Sequence, residues 1–552
     1  MKLRVRLFPM ALLLAVLPAA LQAQTAIFPH GIVNAGNFAP PGLPNGAIAR
    51  GSIFSIFGTN IGPATGVQVS SFPIATTLAG VSIQVTQGAT NVAALPLYVS
   101  AGQINALMPS NTPLGLVSVR VTFNNAKSNP STVQVANSSF AFFSIAAGIG
   151  PGVFQNFVAS DNQPVNSPTV TAKPGQVITG YGTGLGPVPT DNVAPTQGNL
   201  ATTVEVTVGG QSAKVLYSGR SPCCSGLDQI VFQVPDNTPS GCWVPVYVRT
   251  GGTTTSSAVT MAVDSQGAAC GTDPLTQTFL NGGKAGILNL TRAAVRQDVA
   301  VSAKTDIVND YFLFDLTQQK GGVYNFAPWF SLPPAGSCTI YGASGDWTTS
   351  GVLTEAPTAA KLLDAGLFTI TGPKGTSGPQ PFAPGAQVAQ FGASFSGSAL
   401  PNQTFLDPGS YTLAAAGGAD VSKFQTNVTI PAPFTWTNRD QINLIDRTQP
   451  LNIAWSGAAA GQSLAIVGAA VDVPTNSSDV FICVAPGSAT SFTVPAAVLS
   501  TMPASRSNPN KSKAVIYLSN IGISNATPLI VTGLDAAAVG AVYMSGKTVT
   551  LK

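Results

Sequence analysis

Apolar side chains alternate with small polar ones along much of this chain, and this pattern limits its fold more than any other feature. Clear examples are the runs at residues 81–85, 117–123, 204–208 and 244–248. A period of two places successive side chains on opposite faces of a strand, so each run offers one face to a core and one to water. Helical periodicity occurs only in short pieces such as residues 495–502. The sequence therefore predicts an all-β fold built from antiparallel sandwich strands.

The composition agrees with many short strands joined by turns. The chain has 57 glycines and 43 prolines among 552 residues, which is more than the roughly 12% combined share of average proteins. Charged residues make up only 8%, against about 25% in ordinary soluble domains, because Ser and Thr fill the outward strand positions. The apolar share of 45% is that of a folded chain. The length predicts about three to five domains.

Residues 1–23 resemble a secretory signal peptide. Basic residues precede an apolar run at residues 7–17, Pro18 breaks this run, and small residues lead to Ala23. We expect cleavage after Ala23. The alternative is an uncleaved membrane anchor, but the run is shorter than the about 20 apolar residues that a membrane-spanning helix needs. The mature chain is therefore expected to be secreted or held at the cell surface, without insertion into the membrane.

The mature chain carries almost no net charge. Three of the 25 basic residues, Lys2, Arg4 and Arg6, belong to the signal segment, which leaves 22 basic against 21 acidic residues. Binding to nucleic acid or to anionic lipid depends on a positive field. The sequence therefore predicts no nucleic-acid partner.

A long internal repeat organises the first half of the chain. The segment GSIFSIFGTNIGP at residues 51–63 returns as GQVITGYGTGLGP at residues 175–187, 124 residues later. A second block, with Gln-Ile, a proline and an Asn-Thr-Pro-x-Gly turn, begins at Gln103 and returns at Gln229, 126 residues later. Two blocks in the same order and at nearly the same spacing predict a duplicated domain of about 125 residues. Gly58 and Gly182 are expected to end equivalent strands.

These blocks also carry a resemblance to a known family. The order of a strand, G-T-x-(I/L)-G-P, Gln-Ile and N-T-P-x-G resembles the IPT/TIG-like modules of uncharacterised exported acidobacterial proteins of the Solibacter type, which carry the module in tandem. The stretch from Pro222 to Cys242 is similar to that family's second module. The resemblance covers residues 28–265 and implies tandem immunoglobulin-like β-sandwich domains. It implies no known activity.

The predicted domain boundaries follow the repeat and the turn signals. Residues 27–140 form a first IPT/TIG-like sandwich, and residues 141–270 form a second one with disulfides. Residues 275–430 form a β-rich domain without a clear copy of the repeated blocks. The prolines at 431 and 433 are interpreted as a boundary, after which residues 431–552 form a C-terminal sandwich.

Residues that transfer protons or bind metals are scarce. His30 is the single histidine of the whole sequence, so a Ser-His-Asp or Cys-His mechanism would have to use a residue near the N-terminus. A histidine-based metal site fails for the same reason. We expect His30 to be a solvated or edge residue. The sequence predicts no enzyme activity, no cofactor and no metal site.

Carboxylates are almost as rare. The first acidic residue is Asp161, and the two glutamates, Glu205 and Glu355, fall in different predicted domains. The densest acidic group is Asp306, Asp310 and Asp315. Its spacing lacks the alternating oxygens and the central glycine of a calcium loop. We interpret these three aspartates as strand-end or surface residues.

Four of the six cysteines lie in the second repeat, namely Cys223, Cys224, Cys242 and Cys270. An even number in an exported chain predicts disulfides. Adjacent cysteines rarely bond to each other, so Cys223 and Cys224 are expected to pair with Cys242 and Cys270 in one of two ways. A four-cysteine zinc site is the alternative, although no C-x-x-C spacing is present.

The remaining two cysteines, Cys338 and Cys483, are 145 residues apart. They are either buried thiols or an interdomain bridge, and both interpretations stay open at this point. For ligand binding, exposed aromatic rings are the candidates. Trp347 lies in a turn-rich segment and Trp436 lies beside polar residues, so both are candidate ligand-binding residues. The alternative is that all five tryptophans belong to sandwich cores.

Three functions are compatible with these features. The preferred hypothesis is a non-catalytic extracellular or cell-surface protein for adhesion or scaffolding. The second is a carbohydrate-binding protein that serves polysaccharide use through its C-terminal half. The third is a hydrolase with a site in residues 282–430, which requires a pocket lined by at least two carboxylates of one set: Asp306, Asp310, Asp315, Asp346 and Glu355. The expected partner is a polysaccharide or a cell-surface protein, and the oligomeric state stays open.

Overall fold

The computed structural model describes residues 24–146, 148–297, 305–326, 330–343, 361–380, 404–508, 510–521 and 527–552. The predicted signal peptide, Trp347, Asp346 and Glu355 lie outside these ranges. Regular structure in the described ranges is almost entirely β-strand, which confirms the predicted all-β fold class. The α-helices there are α1 (Pro274–Asn281) and α2 (Ala496–Leu499), with two 3-10 turns at Arg439–Gln441 and Val473–Thr475. The longer helix has eight residues, so no described helix is long enough to cross a membrane.

The first module is a β-sandwich of eleven strands. They are β1 (Ala26–Asn34), β2 (Ile48–Ala49), β3 (Ile53–Thr59), β4 (Val67–Gln68), β5 (Thr77–Leu78), β6 (Val81–Gln87), β7 (Thr90–Val99), β8 (Gln103–Leu107), β9 (Gly115–Phe123), β10 (Ala126–Lys127) and β11 (Ser131–Ala136). Hydrogen bonds connect them in the order β1-β3-β8-β7-β6-β9-β11-β2.

Strand β7 joins the two layers of this sandwich. Its first half pairs with β6 and its second half pairs with β8, with a register shift between Pro96 and Tyr98. The alternating residues predicted to face the core do so: Val81, Ile83 and Val85 of β6 are all buried. The sandwich core is therefore made of the apolar set that the period of two selects.

The second module repeats this arrangement. Its strands are β12 (Ala141–Phe142), β13 (Ser144–Ala146), β14 (Ile149–Gly152), β15 (Phe154–Asn156), β16 (Val177–Thr183), β17 (Gly198–Asn199), β18 (Val204–Val208), β19 (Gln211–Arg220), β20 (Asp228–Gln233), β21 (Gly241–Thr250), β22 (Thr254–Thr255) and β23 (Val259–Val263). The order is β12-β16-β20-β19-β18-β21-β23-β14-β13. Strand β19 switches layers as β7 does, and β14 joins β23 in parallel as β2 joins β11. The two modules thus share the order of eight strands, and β13 is an addition at the end of the second. The shared order confirms the tandem immunoglobulin-like repeat.

Two repeated glycines have the same role in both modules. Gly58 lies on β3 against the carbonyl oxygen of Ala26, and Gly182 lies on β16 against the carbonyl oxygen of Ala141. A Cβ atom at either glycine would overlap with that oxygen. The glycines are therefore required because a neighbouring strand approaches closely.

The C-terminal unit is organised around one long sheet. Its strands are β24 (Lys284–Gln297), β25 (Thr305–Gln318), β26 (Cys338–Ala343), β27 (Lys361–Leu362), β28 (Phe368–Gly372), β29 (Gly375–Gln380), β30 (Gly409–Ala415), β31 (Phe424–Ile430), β32 (Thr435–Trp436), β33 (Leu444–Ile445), β34 (Leu451–Ser456), β35 (Leu464–Asp472), β36 (Ser477–Ala485), β37 (Ser491–Val494), β38 (Ser512–Asn520), β39 (Thr527–Pro528) and β40 (Ala536–Leu551). The long sheet has the order β26-β36-β35-β38-β40-β24-β25-β27.

The predicted boundary between residues 430 and 431 is wrong. Strand β24 pairs in parallel with β40 from Ala285 to Arg296, and β26 pairs antiparallel with β36 along its whole length. Strands from both sides of the proposed boundary thus share one sheet. A four-stranded sheet, β29-β28-β30-β31, and a three-stranded sheet, β32-β34-β37, contribute to the two separate cores of this unit.

The three parts of the chain contact one another through buried residues. Arg220 of the second module donates a hydrogen bond to the carbonyl oxygen of Gly51 in the first module at 2.7 Å. Trp243 and Ile149 of the second module pack against a cluster on the long sheet that includes Tyr341. The second module is therefore in contact with both its neighbours.

Candidate functional site

Trp436 does not present a ring to solvent. It lies on β32 inside the core of the C-terminal unit with 5% of its surface exposed. Its Nε1 donates a hydrogen bond to Oδ1 of Asn438 at 2.9 Å. The polar neighbour that suggested exposure therefore satisfies the indole of a buried ring, and the expectation of an exposed Trp436 is wrong. The other candidate, Trp347, lies outside the described residues.

All six cysteines are disulfide-bonded, but the pairing predicted for the second module is wrong. Cys242 is bonded to Cys270, with Cα atoms 5.4 Å apart, and Cys223 is bonded to Cys224. Cys223 and Cys224 precede β20, whereas Cys242 follows it. The predicted pairs between these two sets of cysteines are thus not formed, because each set is bonded within itself.

The third disulfide settles the state of the remaining cysteines. Cys338 and Cys483 are directly opposite each other on β26 and β36 and are bonded. Both are buried. The bond is thus a link between adjacent strands of one sheet.

Asp306 and Asp310 bind arginines on the β24–β25 hairpin. Asp310 faces Arg292 and Asp306 faces Arg296 in the strand register. The guanidinium of Arg292 holds both carboxylate oxygens of Asp310, at 2.8 and 3.0 Å. Partial burial alone would raise the pKa of Asp306, but hydrogen bonds from Arg296 and Arg439 hold it below its usual value. Both aspartates are committed to ion pairs.

Asp315 lies on the other face of β25. Side chains alternate along a strand, so Asp315 points away from the core that contains its neighbours Phe314 and Leu316. It lines a cavity of about 320 Å³ between the second module and the hairpin. Burial raises the pKa of Asp315, against the effect of a hydrogen bond from the Thr317 side chain. Of the three described aspartates proposed for a hydrolase, Asp315 is thus the one that lines this cavity.

The floor of this cavity is formed by two pairs of residues from the hairpin. Ile287 lies directly opposite Asp315, and Ala285 lies directly opposite Thr317. Gln319 continues the same face and donates from its Nε2 to Oγ1 of Thr317 at 2.8 Å. The floor is therefore apolar on β24 and polar on β25.

The walls of the cavity are aromatic. Trp243 comes from β21, Phe279 comes from α1, and Phe330 completes the set. The ring centroids of Phe279 and Phe330 are 6.3 Å apart. Asp273 also lines the cavity, but its Oδ1 accepts the backbone N–H of Thr276 at 2.9 Å and so caps α1. The aromatic rings and Asp315 thus line the same cleft between two parts of the chain, which is a common position for ligand sites.

The Cys242–Cys270 disulfide positions two of these walls. Cys242 precedes Trp243 directly, and Cys270 lies just before the cap of α1. The bond therefore holds the start of β21 next to the start of the helix that carries Phe279. The alternation in the sequence does not single out Trp243, because its half-buried ring packs against the cluster of the long sheet, which is distant in the sequence.

A second cavity of about 270 Å³ lies at the junction of the two modules. It is lined by the loop at residues 188–196, by Leu107 and by Arg220. Arg220 pairs with the fully buried Asp228, whose carboxylate also accepts the N–H groups of Gly184 and Leu185 at 2.8 Å. Burial raises the pKa of Asp228 to about 6, although Arg220 and the backbone N–H groups act against it. Arg220 and Asp228 are therefore engaged in contacts within the second module and between the two modules.

Other reactive groupings are not found in the described parts of the chain. No three side chains of His, Cys, Asp or Glu there come close enough to hold a metal ion. His30 lies on β1, at the edge of the first sheet. Glu205 is exposed and lies 3.8 Å from Arg249 on the neighbouring strand.

Comparisons with known proteins give remote similarities to solved structures. No protein-family profile and no curated protein matches the chain. The plexin A4 extracellular region is 15% identical, with 41% of this chain and 17% of the plexin covered and a TM-score of 0.15, so the chain spans about a sixth of the plexin. A tetra-tandem repeat from the extending region of a large adhesion protein is 13% identical, with 90% and 95% covered and a TM-score of 0.12. The protein SGBP-B of the Bacteroides ovatus mixed-linkage glucan utilization locus, in complex with a heptasaccharide, is 11% identical, with 88% and 97% covered and a TM-score of 0.13. With TM-scores this low, the fold assignment stands on the strand order itself.

Proposed function

We propose that this protein is an exported, non-catalytic scaffold or adhesion protein of the cell surface or the extracellular space. The observation that carries the proposal is the buried contact of the second module with both neighbouring parts of the chain. Arg220 joins it to the first module, and Trp243 packs on the long sheet. Such contacts suit a chain that keeps its parts at fixed positions. The three disulfides are compatible with an oxidising compartment.

The carboxylates support a non-catalytic role. Asp306 and Asp310 are held by arginines on the hairpin. A general acid or base needs a carboxyl that can exchange its proton with a substrate, and a carboxylate that is bound to an arginine does not offer this. The proposed partner is a polysaccharide or a protein of the cell surface.

Fractionation tests the location, and a substrate panel tests the lack of catalysis. The mature chain should be recovered from the medium or from the envelope fraction of its host, with its disulfides formed. Recovery of reduced protein from the cytoplasm would contradict the proposal. Asp446, which pairs with Lys552 and does not line the cavity, is a control position. Turnover of a glycoside or ester substrate that disappears in Asp315→Asn, but persists in Asp446→Asn, would replace the proposal with the hydrolase hypothesis. If the protein is retained on an insoluble polysaccharide, the partner is a polysaccharide and not a protein of the cell surface.

A further inference from the structure

We infer that the cavity between the second module and the β24–β25 hairpin binds an organic ammonium ligand. Three aromatic side chains, Trp243, Phe279 and Phe330, and the Asp315 carboxyl line it together. Its lining, as far as the structure describes it, contains no lysine, arginine or histidine. The inference goes beyond the scaffold function and does not depend on it.

No lysine, arginine or histidine lies beside Asp315 among the described residues that line the cavity. Some other aspartates of the described chain, such as the buried Asp479, also lack a salt bridge, but eight of them lie in one: Asp228, Asp306, Asp310, Asp407, Asp420, Asp440, Asp446 and Asp472. Asp315 has no such partner within the described ranges, although it lies in a cleft with little access to water. A positively charged ligand would supply the missing partner.

The aromatic rings favour the same class of ligand. The face of an aromatic ring attracts a cation, and tryptophan does so most strongly. Three rings next to one carboxyl match an alkylammonium group, which has apolar methyl or methylene groups around its charge. The volume of about 320 Å³ is at the lower end of the range for small-molecule sites. The cavity therefore suits a small ligand.

The polar groups of the cavity argue against a saccharide. A sugar needs several hydrogen-bond partners for its hydroxyl groups. Gln319 and Thr317 already bond to each other, and the Asp273 carboxylate is used by the helix cap. Asp315, which also accepts from Thr317, and Thr276 are the other polar side chains of the lining. Two such groups are enough for an ammonium group and too few for a ring of hydroxyls.

Titration calorimetry with choline and with 3,3-dimethylbutan-1-ol tests the inference on the oxidised full chain. The two compounds have nearly the same shape, but choline alone carries a charge. Choline should bind at least tenfold more tightly than the alcohol. Equal affinities, or no binding of choline at tens of millimolar, would overturn the inference.

Variants locate the site. Asp315→Asn keeps the shape of the side chain, removes its charge and should weaken choline binding at least tenfold, as should Trp243→Ala. Asp446→Asn, which changes a carboxylate that does not line the cavity, should leave the affinity unchanged. Thermal unfolding checks that each variant is folded. Full binding by a folded Asp315→Asn variant contradicts the inference, and so does tighter binding of a glucan oligosaccharide that Trp243→Ala abolishes.

Discussion

Cys338 and Cys483 lie directly opposite each other on β26 and β36, with Cα atoms 3.9 Å apart, although 145 residues separate them in the sequence. Their bond closes a very large loop in the unfolded chain. Replacing both with alanine should therefore lower the free energy of unfolding by about 3 to 5 kcal/mol. Guanidinium unfolding of the oxidised proteins measures this difference. The Cys223→Ala/Cys224→Ala pair is the control, because adjacent residues enclose almost no loop, and a larger effect there would contradict the loop argument.

Arg220 should be far more important for stability than an exposed arginine. Arg220→Ala leaves the buried Asp228 without its cation and removes the hydrogen bond to Gly51. We expect a loss of about 3 to 5 kcal/mol. Arg249→Ala, which breaks an exposed pair with Glu205, should cost at most about 1 kcal/mol. Chemical unfolding of both variants gives the comparison, and similar losses would show that the junction contributes little.

Asp479 should make the protein less stable as the pH rises from about 4 to about 7. It is fully buried on β36, Thr501 donates to its Oδ2 at 2.6 Å, and burial raises its pKa to about 7. The folded state therefore holds a proton that the unfolded chain releases near its ordinary pKa. This stabilisation is complete below the unfolded pKa and is lost as the pH passes the folded pKa, at about 1.4 kcal/mol for each unit between the two values.

Asp479→Asn removes this proton and provides the test. The unfolding free energy of the variant should change less between pH 4 and pH 7 than that of the natural protein. A smaller slope below pH 6 should remain, because burial also raises the pKa of Asp228, to about 6. Parallel curves for the two proteins would show that Asp479 is ionised in the folded state.

The repeated glycines should not tolerate even one methyl group. Gly58→Ala and Gly182→Ala each place a Cβ atom against a carbonyl oxygen of the adjacent strand. We expect each to lower the unfolding free energy by about 1 to 3 kcal/mol. Gly198→Ala is the matched control, since nothing lies within 4 Å of the point that its Cβ atom would occupy, and thermal unfolding should find it nearly unchanged. Equal melting temperatures for all three variants would refute the packing role.

The sequence predicts local features better than distant ones. The period of two identifies which side chains of β6 and β18 are buried, since burial on a strand follows from alternation alone. The repeat identifies Gly58 and Gly182 because close approach of strands recurs in both modules. Which strands pair across more than 200 residues is not encoded in alternation, and so the junction of β24 with β40 could not be predicted.

The candidate site shows the same limit. The polar neighbours of Trp436 predict an exposed ring, but Asn438 bonds to its indole inside a core. Trp243 lies beside a cysteine in an ordinary strand, and its place in the cavity depends on the bond between Cys242 and Cys270 and on α1. Asp315 stands out in the sequence as part of an acidic group, and alternation along a strand places it on the face opposite to Asp310. Which of the two faces would meet the second module is not contained in that alternation.

Strand β40 lies between β38 and β24, in the middle of the long sheet. The chain is made from its N-terminus, so β24 has an unpaired edge until the residues from Ala536 onward have been synthesised, some 250 positions later. The two modules can fold in order as they emerge, whereas this sheet depends on contacts of very long range, which form slowly. Shortening the chain by its last sixteen or so residues would thus remove the centre of the sheet and expose two open edges to aggregation.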